Sequence, residues 1–273
     1  MKKHALVVGT GEWATKVSSR LNEIFGFQTH QVSARSLLKN ELVGKKEAKF
    51  HLVVCATRPE LQEQVITNYS CISNHFWLEK PVAQTYQGAK RILSLLEEQN
   101  NTSSLVNFSW IFSEIWRTFV ALKLSPEDVA RIQISRTAYA EIHCYMSSIE
   151  DYGSHDIALL LSWILNWQGE EIEINDRRFN PHTFNAKING ISITWSIDFG
   201  VETKSMVWMI SWKDGSSTKL DFYENRIIHD GGIFINENSD NIENIVRALN
   251  EKKVDIQRSN HLLALKTKEF FTI

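Results

Sequence analysis

No stretch of this sequence reaches the roughly 18 consecutive apolar residues of a membrane-spanning helix, so a membrane is not an expected partner. Neither sign of charge dominates. Thirty Lys and Arg stand against 32 Asp and Glu, a formal net charge of −2, without the basic stripe that a nucleic-acid partner calls for. Cysteine is scarce: Cys55, Cys71 and Cys144 are odd in number, scattered and not in metal-ligand spacing. His143 and Cys144 are adjacent, but no second pair matches them, so no metal is expected. The first apolar run, Ala5-Leu6-Val7-Val8, stops at Gly9 after four residues. A secretory leader needs about 7–15, so the run reads as a buried strand, and the cytoplasm is the simplest compartment. Internal repeats and low-complexity linkers are also missing.

What is present is a chain of 273 residues, 43% apolar, with 9 Trp. That is enough to build one large core or two ordinary ones. Over the first hundred residues strand and helix patterns alternate. Strands are expected at 5–8, 27–33, 50–56, 75–79 and 105–108, and helices at 13–25, 59–69 and 85–100. The last helix carries Ala89, Ile92, Leu93 and Leu96 on one face. Such alternation implies a parallel sheet with helices on both faces. The second half is β-rich, with strands expected at 129–137, 171–176, 183–188, 192–199, 205–212 and 218–223. A helix at 157–167 precedes most of them, and helices at 241–250 and 261–271 close the chain. The expected architecture is therefore an α/β Rossmann domain over 1–114, followed over 115–273 by an α+β domain with an open-faced, largely antiparallel sheet.

Gly9-Thr10-Gly11-Glu12-Trp13-Ala14 is a G-x-G-x-x-A fingerprint placed where the motif needs to be, after a strand and opening a helix. Gly9 permits the tight turn, Gly11 lets a pyrophosphate approach the backbone, and Ala14 is small enough for the helix to pack on the sheet. The helix N-terminus then presents free N–H groups to the phosphates. At the end of the second strand an NAD enzyme usually carries an acid for the ribose 2′-hydroxyl. Here the residues are Ser33, Ala34, Arg35 and Ser36, a hydroxyl and a guanidinium that suit a 2′-phosphate. NADP(H) is expected over NAD(H); with Arg35 only a solvated charge, NAD(H) takes its place. Ala56, Thr57 and Arg58 follow the third strand, at the carboxyl edge where ligands bind. Arg58 stacks on the adenine or faces water; the sequence does not choose.

Two further elements complete a pattern: Trp77-Leu78-Glu79-Lys80-Pro81, and Asp151-Tyr152-Gly153-Ser154-His155-Asp156-Ile157. Together with the fingerprint, and in this order over nearly the whole chain, they resemble the glucose–fructose oxidoreductase/inositol dehydrogenase (Gfo/Idh/MocA) family. The resemblance implies a Rossmann domain followed by an open-sheet domain through which subunits associate, commonly as dimers. It places Lys80 beside the nicotinamide and the substrate, with Glu79 of the same motif among the cofactor-binding residues. It makes Lys80, Asp151 and His155 the catalytic set, with His155 exchanging the proton and Lys80 and Asp151 positioning the substrate. The chain departs from the pattern in being shorter than most members. It also has Ala158 where many carry an acid three residues after the histidine, and Asp156 directly after it.

Physical chemistry supports the same set. Hydride transfer at a carbon bearing oxygen needs a matching proton transfer, which histidine suits with an ordinary pKa near about 6.5. An ammonium beside the oxygen stabilises a developing alkoxide. Asp151 and His155 are four apart, so they share a face if the helix has already begun there. The plainer alternatives are a helix-capping Asp151, a His155 satisfied in the first helical turn and a surface Lys80. Most tryptophans, Trp163, Trp167, Trp195, Trp208 and Trp212 among them, read as core or subunit-interface residues; Tyr152 and Trp110 are placed to line a substrate pocket. The expected substrate is a sugar, cyclitol or nucleotide-sugar-like molecule. Two other readings stay open: an imine or other carbonyl reductase of a natural-product or siderophore pathway, and a non-catalytic cofactor sensor of the same fold.

Overall fold

The computed structural model describes residues 3–39, 50–98, 103–139, 147–168, 171–235, 240–250 and 254–272. His143 and Cys144 lie outside the described residues. The chain forms two compact units: 1–109 joined by 241–273, and 110–240.

The first unit is built on β1 (His4–Val8), β2 (Gln28–Val32), β3 (Leu52–Cys55), β4 (His75–Leu78) and β5 (Ser103–Val106). All pair in parallel, in the order β2-β1-β3-β4-β5. Strands β3 and β5 are buried at every position, the near-continuous apolar run of a sheet covered on both faces. The connecting helices are α1 (Glu12–Phe25), α2 (Ala34–Leu38), α3 (Pro59–Tyr69) and α4 (Tyr86–Glu98). Ala14, Val17, Ser18 and Leu21 form the buried stripe of α1, and Ala89, Ile92, Leu93 and Leu96 bury on α4 as their spacing predicts. Chain order reverses between β1 and β3. In open α/β sheets ligands bind at such a switch point, outside the carboxyl ends of the strands. Gly9 follows β1 there, and the Ala56 N–H donates to the Val8 carbonyl at 2.9 Å from the end of β3.

The second unit is an eight-stranded sheet of order β13-β12-β11-β10-β6-β9-β8-β7. Its strands are β6 (Val129–Ala138), β7 (Ile174–Asn180), β8 (Thr183–Ile188), β9 (Ile191–Phe199), β10 (Ser205–Trp212), β11 (Ser217–Asp221), β12 (Arg226–His229) and β13 (Gly232–Ile235). Only the β6–β9 pair is parallel among the described residues. Period-2 alternation separates its faces: Ile132, Ile134 and Arg136 of β6 are buried, while Arg131, Gln133 and Ser135 are exposed. The buried face carries α5 (Glu114–Ala121) and α6 (Ser148–Gln168), joined to it through the ring contacts Trp116–Trp208 and Trp163–Trp212.

Asp156 anchors α6 to the three central strands. It is fully buried, accepts from Arg136 Nε at 2.5 Å and Trp195 Nε1 at 2.8 Å through Oδ2, and from Trp208 Nε1 at 2.8 Å through Oδ1. A buried carboxylate is tolerated only when paired and hydrogen-bonded, and removing one partner of such a pair typically costs about 3–5 kcal/mol. The directly following acid, a departure from the commoner family spacing, is thus a structural residue here.

The expected boundary near 114 does not describe how the chain divides. Helices α7 (Asn241–Asn250) and α8 (Val254–Phe271), expected to close the second domain, belong to the first unit. They cover β5, an edge strand whose backbone needs partners. Asn260 Oδ1 accepts from the Val106 N–H at 2.7 Å, and its Nδ2 donates to the Val106 carbonyl at 3.2 Å, standing in for a sixth strand. Ser103 Oγ donates to the Leu249 carbonyl at 3.2 Å.

Candidate functional site

The turn after β1 has the shape the fingerprint demands. The Gly9 N–H donates to the Val32 carbonyl at 2.8 Å, tying the turn to the end of β2. Gly9 has φ +148°, and a Cβ there would stand 2.1 Å from the Ala56 carbonyl oxygen, so the protein itself requires this glycine. Gly11 differs. It is the N-cap of α1 with φ −76° and ψ 172°, an extended conformation open to any residue, and it supplies no side-chain cap. Beyond its chain neighbours, no described atom lies within 4 Å of where its Cβ would be. The helical ladder starts with the Thr15 N–H on the Gly11 carbonyl at 3.0 Å, so the N–H groups of Glu12, Trp13 and Ala14 precede it. This open cradle, with first-turn donors and no side chain above it, fits the phosphates of a dinucleotide. Thr10, Gly11 and Glu12 are exposed and Ala14 is buried on the sheet. Gln31, which the sequence pattern did not single out, reaches across from β2. Its Nε2 donates to the Gly9 carbonyl at 3.0 Å and to Thr15 Oγ1 at 3.3 Å.

Ser33 caps α2 at the end of β2, accepting from the Ser36 N–H at 3.0 Å and donating to Ser36 Oγ at 2.9 Å. Its hydroxyl is therefore already engaged, while Arg35 is exposed in the first turn beside it. After β3, Ala56 and Thr57 are half-buried. Arg58 is exposed and is the N-cap of α3, its carbonyl accepting from the Leu61 and Gln62 N–H groups.

Beyond β4 the segment 79–82 is strapped from below by Gln62, a fully buried residue of α3. Gln62 Oε1 accepts from the Glu79 N–H at 3.0 Å; Nε2 donates to the Glu79 carbonyl at 2.8 Å and the Val82 carbonyl at 2.9 Å. The Lys80–Pro81 bond is cis. The Glu79 side chain turns to the fingerprint helix: Oε1 accepts from Trp13 Nε1 at 2.6 Å and from Asn107 Nδ2 at 2.9 Å. Burial pushes the Glu79 carboxyl up to about 7, against the opposing pull of the Trp13 and Asn107 hydrogen bonds and of the Lys80 ammonium. Trp13 and Glu79, 66 residues apart, thus join two of the sequence elements in one contact. Gln62 and Asn107 were not foreseen, because a single amide in a helix or after a strand carries no motif.

In the second unit α6 begins at Ser148, well before the expected 157, so Asp151 and His155 lie one turn apart within a continuous helix. Asp151 is not a cap: its own N–H already donates to the Ser147 carbonyl at 2.9 Å, inside the first turn. Asp151 is buried and His155 half-buried. Tyr152 packs edge-on against Phe199, with ring centroids 5.9 Å apart. Burial, then the neighbouring Asp151 charge, push its phenol up to about 12. Trp110 packs on Phe222 and Tyr223. Of the tryptophans read as core or interface, Trp163, Trp195, Trp208 and Trp212 are buried and Trp167 is exposed. Among the described residues no three His, Cys, Asp or Glu side chains converge as metal ligands would, and no helix is long and apolar enough to cross a membrane.

A five-stranded parallel sheet with a glycine turn at its switch point, together with a mixed, mostly antiparallel eight-stranded sheet, is the fold of two-domain oxidoreductases. No protein-family model matches the sequence, and no curated protein matches it. Solved structures do match along the whole chain. A dehydrogenase (MviM) from Clostridium difficile has a TM-score of 0.71 at 15% identity, over 98% of this chain and 96% of its own. UDP-N-acetylglucosamine 3-dehydrogenase GnnA from Acidithiobacillus ferrooxidans has a TM-score of 0.73 at 12% identity, over 99% and 97%. An oxidoreductase from Agrobacterium radiobacter, in complex with NAD+, L-tartaric acid and magnesium, has a TM-score of 0.68 at 14% identity, over 99% and 94%. At these identities the likeness establishes a shared fold.

Proposed function

We propose that this protein is an NADP(H)-dependent oxidoreductase of the Gfo/Idh/MocA type, acting in the cytoplasm on the carbonyl or hydroxyl carbon of a sugar, cyclitol or nucleotide-sugar-like substrate. The observation that carries the reading is the Gly11 cradle. Neither backbone conformation nor packing asks for glycine at this position, whereas a phosphate lying against the helix N-terminus does. The neighbours support the rest, since one is a UDP-sugar dehydrogenase and another was solved with NAD+.

The nicotinamide, when bound, supplies the hydride chemistry. The chain supplies the remainder. Gly9, Thr10, Gly11, Glu12, Trp13 and Ala14 form the phosphate turn. The Arg35 guanidinium, with Ser33 and Ser36 beside it, receives a 2′-phosphate, and Ala56, Thr57 and Arg58 edge the site at the end of β3. Lys80, in the segment held by Gln62, offers an ammonium that stabilises negative charge on the substrate oxygen. In the second unit His155 holds and releases the proton that accompanies hydride transfer, and Asp151, one turn before it, orients the imidazole and the substrate. Two copies associate through the open sheet of the second unit, an assembly read out by light scattering.

Parallel fluorescence titrations with NADPH and NADH test the cofactor reading. Tighter NADPH binding is expected, and Arg35→Ala lowers NADPH affinity about tenfold while leaving NADH unchanged. Equal loss for both cofactors removes the phosphate role from Arg35. Failure of a folded sample to bind either removes the enzyme reading.

A further inference from the structure

The Glu79 carboxyl has a place in the fold that the hydride reaction does not use. It stands at the carboxyl end of β4, two strands from the switch-point strand β1 on the side opposite β2. The end of β2 is where the adenosine ribose of a dinucleotide belongs, so the β4 end serves the nicotinamide half. The carboxyl is only partly accessible and is held by two neutral donors, the Trp13 indole and the Asn107 amide.

We propose that Glu79 makes the cofactor site discriminate between the oxidised and reduced nicotinamide by its own protonation. The inference rests on the cofactor reading above and deepens it. An oxidised nicotinamide ring is a cation and a reduced one is neutral. The two therefore differ by one unit charge on the ring, which the cofactor reading puts at the β4 side of the sheet, where Glu79 stands. Ionised, the carboxyl attracts the cationic ring in a setting where charges are weakly screened; protonated, it offers that attraction to neither form. Binding of the oxidised cofactor accordingly releases a proton, and binding of the reduced cofactor releases none from this group. The carboxyl's displacement toward neutrality by burial puts the changeover in the working pH range.

Within the first unit the surroundings leave Glu79 as the titrating group; His155 of the second unit, given the proton-transfer role above, is separated from it by the Glu79→Gln variant. Lys80 is the cation on its own segment. Cys55, at the end of β3, has a thiol pushed up by burial and by Glu79 itself, far from neutrality. From α1 the carboxyl meets the Trp13 indole, from α3 the Gln62 amide holds its backbone, and beyond β5 stands the Asn107 amide, all uncharged. Lys16 of α1 lies 5.7 Å from the centre of the Trp13 ring.

The test uses the whole protein with NADP+ and NADPH as probes. Each is titrated at intervals from pH 5.5 to 8.5, and the ratio of the two dissociation constants is followed. The 2′-phosphate and the Arg35 contact are common to both probes and cancel in the ratio. The expected result is a preference that moves about tenfold toward NADP+ across the interval and is flat in Glu79→Gln. Calorimetry in buffers of different ionisation enthalpy, on the wild-type protein and on Glu79→Gln, gives a second readout. In the wild type it is expected to show proton release on binding NADP+ in excess of that on binding NADPH. An excess that persists in the variant belongs to another group and overturns the proposal. A ratio independent of pH, or equal proton release for both probes, overturns the proposal and leaves the cofactor site standing. Absence of binding by either probe overturns the cofactor reading, and the proposal with it.

Discussion

Gly9 and Gly11 are two residues apart in one motif, yet physics treats them differently. Gly9 is required by the fold: its φ of +148° and the Ala56 carbonyl leave no place for a side chain. Gly11 is not, and on the proposed reading a bound phosphate is its reason. Gly9→Ala is expected to destabilise the protein by several kcal/mol, as a forced close contact in a packed region does. Gly11→Ala is expected to stay within about 1 kcal/mol of the parent, the difference between the two as N-caps, while losing about tenfold or more in cofactor affinity. Urea unfolding and a cofactor titration on the same samples separate the two effects. Equal destabilisation by both, or full affinity in Gly11→Ala, contradicts this division. The motif was legible because its spacing records a glycine the turn requires and a second that keeps the helix N-terminus clear of side chains. Gln62, Gln31 and Asn107 were not, since their role is to complete hydrogen bonds with partners brought together only by the fold, such as Glu79 Oε1 and the segment 79–82.

At the scale of elements, legibility follows burial. Strands buried on one face announced themselves by alternation, and β8 and β10 occupy the expected residues. Outer strand β7 is displaced from its expected 171–176: its residues are mostly exposed, and a register shift between Asn175 and Arg178 breaks what pattern there is. Strands β12 and β13 are four residues each, too short to show a period, and β13 leaves Ile233 and Ile235 exposed. Helix α6 starts nine residues early because Asp151, Tyr152 and Gly153 resemble a loop in composition, whereas tertiary anchoring through Asp156 sustains the helix there.

Helix α8 adds a pH effect. His261 is buried, with Nε2 2.9 Å from Ser104 Oγ and Nδ1 2.7 Å from Glu97 Oε1. Burial lowers its pKa below the ordinary 6.5, opposed by the Glu97 contact. A depressed histidine pKa means that the unfolded chain takes up the proton first as pH falls. The contribution of His261 is therefore fully present above about pH 6.5 and is lost as pH falls through the lower folded value. The urea midpoint of the parent is expected to drop between pH 7.5 and 5 by more than that of His261→Gln. An identical pH dependence in the two proteins would show that this histidine is not the group responsible.

At the scale of the molecule, both sheets and their order along the chain followed from periodicity, but the assignment of α7 and α8 did not. An amphipathic helix records that it has a partner, not which one; Ile242, Ile245, Val246 and Leu249 are the same stripe whichever sheet they cover. What decides the matter is the unpaired backbone of Val106 at the edge of the parallel sheet, which the Asn260 amide satisfies. A chain cut after residue 240 is expected to lose the cooperative unfolding of the first unit and to aggregate through the bared β5 edge. The segment 110–240 keeps its tryptophan core and its near-ultraviolet circular dichroism. A truncated chain that unfolds like the parent would place α7 and α8 outside the cooperative core.

The two-piece first unit also sets an order of events during synthesis. Residues 1–109 leave the ribosome early, but the helices that complete their sheet are translated only after the entire intervening unit. At about 5–20 residues per second, the nascent glycine turn waits many seconds on a sheet whose last strand has no cover, while the unit translated second already holds all of its own strands. Completion therefore runs against the direction of translation, and the growing chain's demand for chaperone protection falls on β5.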